Sequence, residues 1–213
     1  MKGVRDIKEN RVEQIIIKQS HPKYKTLDEM CLRSKNLYNE ANYVIRQEFI
    51  KNGNYINYYD MNREFKTHEN YKLNFSQPSN CTLRRLDKNW KSYFRAIKDW
   101  KKHPEKYLGM PRLPNYLPKD GRFPWMIPNN MCRYKPEKGI VHIGNRMVND
   151  YEWKSKCLGR LIQVRFIPHG GYITMEIVYE IEIENKDVES NRIAAIDIGV
   201  DNLITMSNNI GEK

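Results

Sequence analysis

Leu83-Arg84-Arg85-Leu86-Asp87-Lys88-Asn89-Trp90-Lys91-Ser92-Tyr93-Phe94-Arg95-Ala96-Ile97-Lys98-Asp99-Trp100-Lys101-Lys102 carries two patterns at once. At 100° per residue, Leu83, Leu86, Trp90, Tyr93, Phe94, Ile97 and Trp100 share an arc of roughly 120°. Arg84, Lys88, Lys91, Arg95, Lys98 and Lys102 share another of roughly 80°, nearly opposite and about 27 Å long. The spacing predicts an amphipathic helix over 79–102, with a buried face and a cationic stripe. Like charges three and four apart repel. Such a row points to an external polyanion, or else to a solvated face with no partner.

Outward from this helix the chain changes character twice. Towards the N-terminus, Leu27, Met30, Cys31, Ser34, Leu37, Tyr38, Ala41, Val44 and Ile45 predict a helix over 27–51. Thr26 and Glu29 have capping-box spacing at its start, and Asn52-Gly53-Asn54 ends it. A shorter helix is expected over 59–66, and a strand over 11–18 precedes them all. Beyond His103-Pro104, frequent prolines stop helices and leave Gly109-Met110-Pro111-Arg112-Leu113-Pro114 extended and basic. Short strands follow, such as 139–143. Leu161 to Pro168, His169-Gly170-Gly171 and Tyr172 to Glu184 then read as a hairpin. In its second arm Ile173, Met175, Ile177, Tyr179, Ile181 and Ile183 would face a core, and the alternating set would be mostly wet. A polar linker over 185–191 leads to Ala194-Ala195-Ile196-Asp197-Ile198-Gly199-Val200, the first arm of a last hairpin.

The order of strand, helices, strands, linker and hairpin implies an α+β fold with helices inserted into a sheet or barrel. The formal charge of +11 and the abundant tyrosines suit a phosphate-backbone partner. Cys31, Cys81, Cys132 and Cys157 show no CxxC spacing, and the histidines no metal-ligand spacing, so a zinc knuckle and a redox motif are unsupported. Free thiols suit a reducing cytoplasm, and no long apolar run suggests a membrane span.

Two places could carry chemistry. Asp197 sits in an apolar strand, where a carboxylate is costly unless paired. It would hold a divalent metal, or lie at a strand end against water or turn amides. Asp201, four residues on, reads as a turn-capping residue. Gln77, Ser79 and Asn80 lead into the basic helix, where they could donate to phosphates or base edges, or serve as ordinary caps. No P-loop, GxGxxG or nucleophile elbow is present.

Several of these pieces together resemble one family. They are Ser34-Lys35-Asn36-Leu37-Tyr38-Asn39 within the helix 32–46, Asn57-Tyr58-Tyr59-Asp60, and Leu83 to Phe94. Gly109-x-Pro111-Arg112, Val164-Arg165-Phe166-Ile167-Pro168 and Ala195 to Val200 complete the set. The chain resembles the N-terminal half of TnpB, the OrfB-type transposase-associated protein of bacterial insertion sequences. TnpB proteins are RNA-guided DNA endonucleases related to type V CRISPR nucleases.

The resemblance implies a wedge-like β-barrel domain beginning at 1–23, a helical recognition insertion over 24–103, and the rest of the barrel over 104–186. A truncated RuvC-like, RNase H-type domain would start at 187–213. It implies guide RNA and target DNA as partners, and Asp197 as the first catalytic, magnesium-binding carboxylate. It also places Gln77 and its helix near the DNA motif flanking the target. Ser79, Asn80, Arg84, Arg85, Lys88, Lys91, Arg95, Lys98, Lys102 and Arg112 are the expected nucleic-acid contacts. The family's second catalytic Glu, third catalytic Asp and zinc-ribbon CxxC pairs are not in this sequence. One carboxylate cannot assemble a two-metal site, so Mg²⁺ belongs to the full-length family and cleavage would need a separate C-terminal half. The last hairpin should then lack the strands that cover it.

Overall fold

A computed structural model describes residues 7–144, 148, 151–183, 191–199 and 204–211. The linker over 185–190 and the turn residue Asp201 lie outside the described residues. The fold is mixed α+β, as expected. Among the described residues, those within 10–181 form one compact unit, and 7–9, 182–183, 191–199 and 204–211 belong to a second.

β1 (Ile7–Lys18), in the larger unit from Asn10 on, leads into α1 (Tyr24–Asn52), α2 (Tyr58–Phe65), α3 (Glu69–Leu73) and α4 (Ser76–Trp100). The strands β2 (Trp125–Pro128), β3 (Cys132–Lys135), β4 (Ile140–Ile143), β5 (Trp153–Lys154), β6 (Arg160–Pro168) and β7 (Tyr172–Ile183) follow. They make two antiparallel sheets, ordered β1-β7-β6-β2 and β3-β4-β5.

Among the described residues no closed barrel forms. The chain passes from β2 through a 3-10 turn at Asn129–Met131 into β3, so the sheets adjoin there. At the opposite edges, Glu13 on β1 accepts from the Ser155 hydroxyl (2.7 Å) and the Lys156 amide (2.9 Å) just after β5. The Glu13 side chain bridges that seam, where closure would need a backbone ladder.

Two apolar cores organise the unit. One lies within the sheets and includes Ile17, Trp125, Ile127, Val141, Trp153, Val164, Phe166, Met175 and Ile177. The other lies among the helices, around Leu37, Ala41, Ile45, Met61, Phe65, Leu83, Leu86 and Trp90. Helix α1 serves both: Leu27, Met30 and Cys31 enter the sheet core, and its remainder enters the helical core.

Helix ends differ from the sequence expectation at two places. The capping box is unused, because α1 starts at Tyr24, before Thr26, with Lys23 as N-cap and no side-chain cap bond. His21 Nδ1 instead accepts from the Lys23 amide (3.1 Å). The other end matches: Gly53 caps α1 at φ 72°, a conformation open to a residue without Cβ. Helix α4 starts at Ser76, three residues early, after Phe75 at φ 63°. Pro78 lies in its first turn, where a missing amide proton costs nothing.

The hairpin β6–β7 pairs Pro168 with Ile173 and Val164 with Ile177. The expected wet face of β7 is partly covered: Thr174, Glu176 and Val178 are buried. β7 is an interior strand, flanked by β1 and β6, and long neighbours close over it. Glu176 accepts from Gln14 Nε2 (3.0 Å) and pairs with Arg165 (2.7 Å).

In the smaller unit, β8 (Ala194–Asp197) and β9 (Thr205–Asn208) form an antiparallel hairpin. Its open end is clasped by Asn209. The Asn209 side chain accepts from the Ile193 amide (2.9 Å) and donates to the Asn191 carbonyl. Ile193, Ile196, Ile198, Ile204 and Met206 are exposed. No described helix is long and apolar enough to cross a membrane.

Candidate nucleic-acid interface

Helix α4 is held by its apolar face. Leu83, Leu86 and Trp90 are buried in the helical core, and Trp90 Nε1 donates to Asn42 Oδ1 on α1 (3.0 Å). With that face committed, the opposite one must meet solvent. Arg84, Arg85, Lys88, Lys91, Arg95, Lys98 and Lys102 are all exposed.

The stripe is not wholly without internal partners. Asp87 turns inward, where it accepts from the Tyr55 hydroxyl (2.7 Å) and the Tyr58 amide (3.0 Å). Its second oxygen reaches Lys91 Nζ (2.7 Å), an i,i+4 pair, so Lys91 has a counterion within its own helix. Burial and the Asp87 carboxylate raise the Tyr55 phenol pKa, so this hydroxyl remains a donor. The Arg84 guanidinium lies 4.9 Å from the centre of the Tyr58 ring, within cation–π range. Among the described residues, Arg95 donates to the Lys91 carbonyl and the Ser92 hydroxyl. Lys88 and Lys98 make no ion pair among the described residues.

The residues ahead of the stripe divide. Ser79 is fully buried and donates to the Tyr71 carbonyl (2.8 Å); its hydroxyl anchors the helix start and cannot reach a ligand. Asn80 is half-buried and accepts from Asn62 Nδ2 and the Tyr71 hydroxyl (2.8 Å). Gln77 is half-buried on the first turn.

Arg112 is exposed on an extended, proline-rich strap over 111–123. Such a strap has no ladder of its own, and its backbone must bond elsewhere. Helix α1 provides the partners. Asp28, Lys35, Asn39, Asn42 and Arg46 fall within an arc of about 60° beside the core-facing residues. Asn39 pairs twice with Leu117, donating to its carbonyl (2.9 Å) and accepting from its amide (2.8 Å). Asn42 and Arg46 donate to the Pro114 carbonyl (3.0 and 2.8 Å), and Lys35 donates to the Lys119 carbonyl (2.7 Å). Asp28 holds Arg122 by two bonds (2.9 and 2.8 Å).

Between this strap and α4 lies a shallow, largely open groove of about 400 Å³. Arg112 is on one wall and Asn89, Ser92 and Ala96 are on the other, with Tyr38 and Tyr93 among the lining residues. Of the wall residues only Arg112 was expected as a contact; Asn89, Ser92 and Ala96 escaped the sequence reading. The signal was there: Asn89 and Ser92 interrupt a basic helix on one line.

Of the two environments expected for Asp197, the described residues place it in the second, at a strand end facing water. It lies opposite Thr205 at the end of the β8–β9 ladder and is exposed, so burial imposes no cost that a metal must offset. Among the described residues no group of three or more His, Cys, Asp or Glu could hold a metal. The donor set for a two-metal site does not fit the residues described.

No family model matches the chain. No curated protein matches it either.

Proposed function

We propose that this chain is a TnpB-like nucleic-acid-binding module, related to RNA-guided DNA endonucleases, that binds guide RNA and target DNA without cutting on its own. The observation that carries this reading is the exposed cationic face of α4, with Arg112 across the groove. The incomplete wrap of two sheets around one core, with helices inserted after β1, is consistent with a wedge-like barrel and its recognition insertion. By the same resemblance, β8–β9 is the start of a RuvC-like domain, with Asp197 as its first carboxylate. No cleavage step is assigned, since the described residues do not assemble the magnesium site.

The test is RNA binding as a function of salt. Replacing Lys88, Arg95 and Lys98 by Glu should weaken RNA affinity at least tenfold at about 0.1 M salt, and should lower the slope of log K against log salt by about 0.7 per lost phosphate contact. Among the described residues these three have no acidic partner to confuse the result. An unchanged affinity and slope would sink the reading.

A second reading is that the chain is half of a split nuclease. The exposed apolar residues of β8–β9 favour it, because a two-stranded hairpin needs further strands to bury them. Cleavage on mixing with a C-terminal half, guide RNA and Mg²⁺, abolished by Asp197→Ala, is the expected result. Cleavage that survives D197A would reject it.

A further inference from the structure

We infer that the groove between α4 and the strap takes a single, unpaired nucleic-acid strand, a ligand distinct from any duplex lying along the outer stripe. The inference rests on the nucleic-acid-binding reading above and specifies its ligand.

The first argument is position. Arg85, Asn89, Ser92 and Ala96 follow one another at spacings of 4, 3 and 4 along α4. Their line lies about 100° around the helix from the Lys88–Lys98 stripe and runs for about 16 Å. A polyanion on the stripe and one in the groove therefore meet different faces of the same helix.

The second is composition. The groove wall offers a guanidinium from Arg112 and the half-buried ring of Tyr93, and no acidic side chain lines it; Tyr38 is buried behind the wall, its hydroxyl accepting from Asn89 Nδ2 (3.0 Å). Asp99, one step further along the same line, accepts the Tyr107 hydroxyl (2.7 Å). A cation for a phosphate beside an aromatic ring for a base is the combination that binds unpaired strands, because every base has a face to stack. Ser92 and Ala96 are small, so a chain can approach the helix closely there.

The third is shape. A duplex presents its backbones outward and is read through grooves that admit protein elements. Here the protein supplies the groove, walled on one side by the strap. The strap is pinned in advance by Asn39, Asn42 and Arg46. Ordering it costs no further entropy when a ligand enters.

The test compares a fluorescently labelled oligouridine with an RNA duplex of the same length, binding to the intact chain. Ser92→Trp fills the groove from an exposed helix position, and Arg112→Glu reverses the charge on the strap. Each should weaken oligouridine binding by about tenfold or more and change duplex binding by less than about twofold. Circular dichroism and thermal melting confirm that both variants fold, and two different elements carry the substitutions.

Oligouridine affinity unchanged in both variants, with the Lys88/Arg95/Lys98→Glu variant impaired, overturns the inference and leaves the stripe reading standing. Equal loss for oligouridine and duplex also overturns it. If neither the groove variants nor the stripe variant loses affinity, both readings fall.

Discussion

On helix α4 the bare face is cationic, and the opposite face is buried against α1, α2 and α3. On the β8–β9 hairpin the bare surface is apolar, and little of it meets anything: Ile196 is 63% exposed and Ile198 77%. A helix satisfies its own backbone, so one buried stripe is enough to seat it. A hairpin leaves two unpaired edges and two faces, and a good strand pattern does not supply what should cover them. Cooperative stability should therefore belong to the 10–181 unit, with the hairpin contributing little.

Four measurements can break or sharpen that contrast, from the largest effect down. Trp90→Ala should cost about 3–5 kcal/mol of unfolding free energy, from the cavity and from stranding Asn42 Oδ1. Denaturant unfolding followed by far-ultraviolet circular dichroism measures it, and a loss below 1 kcal/mol would mean α4 is not seated as described. Asn39→Ala removes both bonds to Leu117 and should cost about 1–3 kcal/mol, with faster hydrogen exchange at the Leu117 amide. Unaltered exchange there would show that the strap holds without its ladder.

The third concerns His21. Its pKa is lowered by burial, and its Nδ1 must be unprotonated to accept from the Lys23 amide. A depressed folded-state pKa means that the unfolded chain takes up the proton first. The stability contribution is thus whole above about pH 6.5 and declines as pH falls towards the folded pKa. Urea midpoints between pH 7.5 and 5 should drop, and His21→Gln should flatten that part of the profile. A slope unaffected by His21→Gln rejects the assignment. Last, Ile196→Ser with Ile198→Ser should change the urea midpoint by no more than about 0.5 kcal/mol equivalent, since neither residue is buried. A larger loss would mean the hairpin is covered after all.

Much of the scaffold was legible because periodicity reports burial. The arcs of α1 and α4 gave both helices, Gly53 marked a stop, and His169-Gly170-Gly171 marked the β6–β7 turn. α3 escaped: Glu69-Asn70-Tyr71-Lys72-Leu73 is too short for a period, and only Tyr71 is buried. The ladder on α1 escaped for another reason. Lys35, Asn39, Asn42 and Arg46 look like a solvated helix face until the proline-rich strap is placed against them. Ser79 looked like a cap and proved an anchor, because Phe75 adopts a positive φ and starts the helix early. Asp87 seemed irrelevant to the stripe, yet its second oxygen reaches Lys91. In each case the sequence shows a residue's chemistry, and a distant segment decides its use.

Helix α1 has a consequence for how this protein can change over evolutionary time. Its first turns fill the sheet core, its later turns fill the helical core, and a separate line along it fastens the strap. One residue inserted between Cys31 and Lys35 would rotate everything after it by 100° and advance it by 1.5 Å. Leu37 and Ile45 would leave their core, and Asn39 would miss Leu117. A step of seven residues, two turns, is the shortest that brings the phase back to within about 20°. α1 is thus a ruler: residues off its core and strap lines can vary, but its length between these marks cannot drift by single residues.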